Sequence, residues 1–229
     1  MNTTIFSPSK NKKAFRSLLK IRMQRLFTLL FIVFINLAVS AQEGMSINGT
    51  VNAKEIELKT GLNLVYDITH KGNVYQYIIN FTSVNESGVE FNWKMTDPVN
   101  KDGKIIITSN ALAKATDLDF YPSTKTFDGE DISMIFGKQV FDKLANFKSG
   151  DTVSFGCNSC FRGVTTTEVK ANDYEVQDDA YSITSLKTLK FSSIYNNGNF
   201  EVLNQQKFPL IIYFKWNMTI ELKSFSYTK

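Results

Sequence analysis

From residue 62 onward the chain alternates. Leu62, Leu64, Tyr66 and Ile68 fall on one side, and Asn63, Val65, Asp67 and Thr69 on the other. A period of two places successive side chains on opposite faces of a strand, so this segment predicts a half-buried β-strand. Lys71-Gly72-Asn73 predicts a turn, and Tyr75, Tyr77, Ile79 and Phe81 form the inward row of the next strand. Asn85-Glu86-Ser87-Gly88 turns the chain again. The third strand is the clearest: Val89, Phe91, Trp93 and Met95 alternate with Glu90, Asn92, Lys94 and Thr96. Asp97-Pro98 stops it, and Asp102-Gly103 opens a fourth strand from Lys104 to Ser109. Strands joined by such short turns make an antiparallel meander, with one face buried and the other wet.

The middle of the chain changes period. Val140, Phe141, Leu144 and Phe147 share one helical face, with Asp131 or Ser133 as the expected cap. Gly137 disfavours an earlier start, so a single helix is placed at 138–147, ended by Ser149-Gly150. Strands resume over 152–155, 161–170 and 181–191, and Asn196-Asn197-Gly198-Asn199 reads as a turn. The last segment sets Trp216, Met218, Ile220 and Leu222 against Asn217, Thr219 and Glu221. No fixed-period repeat breaks the pattern. The expected fold class is all-β and mainly antiparallel, a curved sheet or half-barrel with one short helix near 138–147.

The first 41 residues stand apart. They hold seven basic residues, no acidic ones, and then the apolar run LFTLLFIVFINLAVSA. A basic segment, an apolar core and a small-x-small end at Val39-Ser40-Ala41 fit a signal peptide cleaved after Ala41. An uncleaved anchor is the alternative; the run is 16 residues, against about 20 for a spanning helix. Met23 is an alternative start, and residues 42–229 are expected to form one β-rich domain. Removing the leader leaves 19 of the 26 basic residues against 22 acidic ones. The basic character therefore belongs to the leader, and nucleic acid is not an expected partner. With 19 Phe, 9 Tyr and only 2 Cys, stability must come from a packed core.

Candidate chemistry is sparse. Cys157-Asn158-Ser159-Cys160 lies between predicted strands, without the helix N-terminus that activates a redox pair. Cys157 and Cys160 read as a structural disulfide in an exported protein, ahead of two unpaired thiols, a redox pair or a metal site. His70 is the one histidine and sits at a predicted turn, and no Gly-x-Ser-x-Gly elbow accompanies it. Asp117 and Asp119 share a face in an extended chain, the spacing a carboxylate-pair hydrolase would use. Asp128-Gly129-Glu130-Asp131 and the Asp97–Gly103 segment lack calcium-loop spacing and read as solvated loop charge, as does Asp178-Asp179. Four glycosylation sequons, at Asn48, Asn80, Asn85 and Asn217, read as accidents of an Asn-rich chain. No cofactor or metal site is expected.

The opening Gly61-Leu62-Asn63-Leu64-Val65-Tyr66, the alternating aromatic strands and the closing Phe208-Pro209-Leu210-Ile211-Ile212 resemble families of exported bacterial β-proteins of uncharacterised function. Those look like curved half-barrels akin to envelope lipid carriers. The resemblance implies a fold and a compartment and carries over no functional residue. The leading expectation is a non-catalytic protein of the periplasm, envelope or exterior, binding an apolar small molecule or an envelope protein. Its candidate apolar face is Tyr75, Tyr77, Phe91 and Trp93, rows that are more often plain core. The alternatives are a secreted hydrolase using a carboxylate pair and a small outer-membrane barrel.

Overall fold

The structure is a computed structural model. It describes residues 55–96, 101–120, 124–158, 163–178, 182–195 and 197–228, all within the compact unit Thr50–Lys229. The expected leader, Met23 and the Ala41 cleavage site lie outside the described residues.

The alternating segments form the predicted meander. Strands β1 (Leu62–His70), β2 (Asn73–Asn85), β3 (Gly88–Met95) and β4 (Lys101–Thr108) pair antiparallel in chain order. The β1–β2 turn places Lys71 and Gly72 at positive φ, 49° and 80°. At the β2–β3 turn Gly88 has φ 139°, and a Cβ there would lie 2.1 Å from the Ile107 carbonyl oxygen, so only glycine lets β4 approach.

The sheet is larger than the meander. With β6 (Lys125–Phe127), β10 (Val169–Gln177), β11 (Ile183–Ser192), β12 (Asn199–Leu203), β13 (Ile211–Lys215) and β14 (Met218–Tyr227) it has ten strands, in the order β10-β11-β12-β13-β14-β1-β2-β3-β4-β6. It is mainly antiparallel and curved, as expected. Its curvature brings β10 back onto β14 through one parallel bridge, Gln177 to Ser224, closing five strands into a small ring. A second sheet has the order β7-β5-β8-β9, from β5 (Asp117–Leu118), β7 (Asp131–Ile132), β8 (Val153–Cys157) and β9 (Val164–Thr166).

Two helices, not one, accompany the sheets. The first, α1 (Ser109–Lys114), escapes a periodicity argument because it has only six residues. Thr108 caps it, its hydroxyl accepting from the Ala111 amide at 3.3 Å. The second, α2 (Lys138–Ala145), is the expected helix and buries Val140, Phe141 and Leu144. Its cap is Gly137, not Asp131 or Ser133, and no side chain bonds there. Asp131 belongs to β7 and Ser133 is buried beyond it. A Cβ on Gly137 would lie 2.1 Å from the Ala115 carbonyl oxygen, so the glycine lets α2 start against the end of α1.

Other boundaries move. The expected strand over 161–170 is two strands with a break before Val169, and the second runs on to Gln177. Trp216 does not open the last strand; Trp216 and Asn217 make the turn between β13 and β14.

The second sheet and its flanking segments pack on the inner face of the large sheet. Phe155 of β8 meets Phe200 of β12 edge-to-face at 5.7 Å, and Phe120, following β5, stacks on Phe214 of β13 at 4.5 Å. Phe136 reaches Phe191 of β11, which stacks on Phe200 at 5.1 Å. Across the meander, Phe208 meets Phe81, and Phe81 meets Phe91. The chain's own aromatic side chains thus fill the hollow of the curved sheet, as the close packing of protein interiors requires.

Candidate functional site

The residues proposed as an apolar face lie in that packed interior. Tyr77, Phe91 and Trp93 are buried, and Tyr75 is partly buried against the core. Trp93 packs on Tyr77 with ring centroids 5.8 Å apart and lies across Gly103, its cross-strand partner. A Cβ at Gly103 would come within 2.8 Å of the indole, so that glycine makes room for the ring. Burial raises the Tyr77 phenol far above its ordinary range.

Asp117 and Asp119 take different partners. Asp117 and Asp131 are partners across β5 and β7, and Lys125 forms ion pairs with Asp119 at 3.1 Å and Asp131 at 3.6 Å. Desolvation opposes the Lys125 charge, but hydrogen bonding and attraction to Asp119, then Asp131, outweigh it and hold the ammonium above the ordinary lysine range. Asp117 instead accepts from the Thr116 hydroxyl at 2.9 Å and overlies Gly156 of β8, where a Cβ would fall 1.5 Å from Asp117 Oδ1. Among the described residues, no group of three or more His, Cys, Asp or Glu side chains is placed to hold a metal ion.

A second carboxylate row has no sequence signal. Glu201, Tyr213 and Glu221 are successive partners across β12, β13 and β14. Glu201 is buried, and its Oε1 accepts from Asn172 Nδ2 at 2.7 Å and the Thr188 hydroxyl at 2.6 Å. Tyr174 donates to the Leu222 carbonyl at 3.2 Å and lies 3.3 Å from Glu221 Oε1. Burial first, then the Glu221 charge, raises the Tyr174 phenol, and the same order of causes raises Tyr213. The row seals the small ring with polar side chains. The sequence hides it because its members are scattered over about fifty residues.

His70 ends β1, partly buried, and its Nδ1 has no hydrogen-bond partner among the described residues. Cys157 is buried at the end of β8, while Cys160 lies outside the described residues. Asp128 accepts from the Thr108 hydroxyl at 2.6 Å, and Asp178 accepts from the Ser182 amide at 3.0 Å.

An open surface feature adjoins the second sheet. A groove of about 570 Å³ runs beside β8 and β9, lined by Thr116, Ser154, Gly156, Gly163, Thr165 and Tyr195 among others. One side is the turn between β11 and β12, pinned to β9 by the Ile194 amide donating to the Thr165 carbonyl at 2.8 Å. That turn presents Ile194 and Tyr195 at 53% and 62% exposure, two of the most exposed large apolar side chains described. Behind them Ser193 is buried, with its hydroxyl unpartnered among the described residues. The groove offers hydroxyls, a phenol and glycine backbone. No family model, curated protein or solved structure matches this chain.

Proposed function

We propose that this chain is an exported, non-catalytic binding protein that docks a protein partner on its outer surface, at the groove edged by Ile194 and Tyr195. One observation carries the reading: the hollow of the curved sheet is filled by Phe120, Phe136, Phe155 and Phe208 from the same chain. Of the two expected occupants, an apolar ligand would have to displace that core, whereas a partner meets an exposed aromatic beside an open groove. Tyrosines with an apolar body and a polar tip are favoured at such interfaces. The outer-membrane barrel reading is less well supported. The outward rows of β1 to β3 carry Asn63, Asp67, Gln76, Asn80, Asn92 and Lys94, where lipid would demand apolar side chains. For the hydrolase reading, the aspartates that approach one another are Asp119 and Asp131, and Lys125 ties them together as ion-pair partners.

Two further features belong to the proposal. The leader is removed after Ala41 on export, and Cys157 and Cys160 are bridged. Intact-mass analysis of the protein from an exporting host tests both, through a mature chain beginning at Gln42 and lacking two thiol hydrogens. For the binding claim, a photo-crosslinking amino acid replaces Tyr195 in one variant and Val74 in another. Val74 is a matched control, 59% exposed on the β1–β2 hairpin. A discrete protein adduct in the producing cells at position 195 and not at 74 is the expected result. Equal labelling at both positions, or none at 195, contradicts the docking site.

A further inference from the structure

The outer face of the meander carries a second, chemically different feature. A trough of about 500 Å³ crosses β2, β3 and β4 on the side away from the core. Two cross-strand rows build it: Asn80, Asn92 and Lys104, then Ile78, Lys94 and Asp102. Neighbouring strands lie about 4.8 Å apart, so each row presents a side chain at that interval across the sheet.

The hydrogen-bonding state of these groups is the informative part. Asn63, the next member of the first row, is spent within the protein: its amide donates to the Gly61 carbonyl at 3.1 Å and the Thr228 hydroxyl at 2.7 Å. Its oxygen accepts from Asn80 Nδ2, which fixes the Asn80 amide and leaves Asn80 Oδ1 without a partner among the described residues. Asn92 has no internal partner for either amide atom among them. Lys94 and Asp102 stand directly opposite on adjacent strands, yet form no ion pair among those described, although Lys104 pairs with Glu90 at 2.6 Å close by. Opposite charges facing each other across strands ordinarily attract. Here both keep their hydrogen-bonding capacity open to the trough.

We propose that this trough binds a neutral carbohydrate chain laid across the strands. Sugar hydroxyls both donate and accept, and the trough supplies both kinds of partner: amides at Asn80 and Asn92, an acceptor at Asp102 and donors at Lys94 and Lys104. The charges nearly balance, so neither an anionic nor a cationic ligand is favoured over a neutral one. Ile78 supplies an apolar floor for the C–H face of a sugar ring. The repeat of partners from strand to strand suits a ligand with a repeating unit, and the anchored Asn80 amide lowers the ordering cost of binding.

The test uses the mature chain with cellohexaose, chitohexaose, maltohexaose, xylohexaose and mannohexaose in titration calorimetry. The expected result is saturable binding of at least one, little changed between 0.05 and 0.5 M sodium chloride, as roughly expected for a neutral ligand. Asn92→Ala should weaken it at least tenfold with an unchanged melting curve, because the side chain is exposed and unbonded. Gln76→Ala, on the same face but outside the trough, should leave it intact. Asn80→Ala removes the bond to Asn63 and risks the fold, so Asn92→Ala and Lys94→Ala carry the comparison. Failure of all five sugars to bind overturns the proposal, as does binding that Asn92→Ala and Lys94→Ala leave unaltered.

Discussion

Two residues show how much of this structure rests on what a side chain meets on its own face. Trp93 is 3% exposed and packs on Tyr77, whereas Lys94, one residue on, faces solvent. Trp93→Ala should therefore cost about 3–5 kcal/mol, and Lys94→Ala less than about 0.5 kcal/mol. Urea denaturation of both variants checks this, and a larger loss at Lys94 would put the strand in the wrong register. Gly156 is the second case, because its missing Cβ is where Asp117 Oδ1 lies. Gly156→Ala should cost about 1–3 kcal/mol by overpacking. In an Asp117→Ala background most of that cost should vanish, because the obstructing carboxylate is gone. A double-mutant cycle measures the coupling, and simple additivity would show that the two groups do not meet.

At the level of elements, β1 to β3 and α2 are legible in the sequence because each has one buried face and one wet face. Val89, Phe91, Trp93 and Met95 all bury as their alternation requires. The elements that escape are those without that asymmetry. In β12, Phe200, Glu201, Val202 and Leu203 are all buried, since one face packs on the aromatic core and the other lines the small ring. The same two-sided burial hides Ile211 and Ile212 of β13. Strand β10 fails in the opposite way: its side chains are mostly exposed or half-buried, and its polar face is used to close the ring. The groove at Tyr195 escapes for a third reason, because it joins a turn to strands some thirty to forty residues earlier.

Buried tyrosines also set an alkaline limit. Tyr66, Tyr77 and Tyr174 have phenols raised above the ordinary range, chiefly by burial. Below the unfolded value of about 10 both states are protonated and the contribution to stability is complete. Above it the unfolded chain loses its phenol protons first, so stability falls as pH rises. Absorbance at 295 nm should show these three ionising only as the protein unfolds, and Tyr174→Phe should make the fall shallower. Their ionisation with the exposed tyrosines, in a chain still folded by circular dichroism, would contradict their burial.

At the scale of the whole molecule, a curved sheet has to bury its inner face against something. A carrier leaves that face to a ligand; this chain covers it with a second sheet, two helices and the segment around Phe208. The two proposed sites accordingly lie outside it, at the groove beside Tyr195 and the trough across the meander. The most direct test follows the emission of Trp93 in a Trp216→Phe variant, which makes Trp93 the sole tryptophan. Palmitate and phosphatidylglycerol vesicles are titrated in at fixed protein concentration. A filled interior predicts no saturable shift in emission and weak quenching by acrylamide. A saturable shift at one ligand per chain would mean that an apolar molecule enters beside Trp93, and that the inner face is a binding site after all.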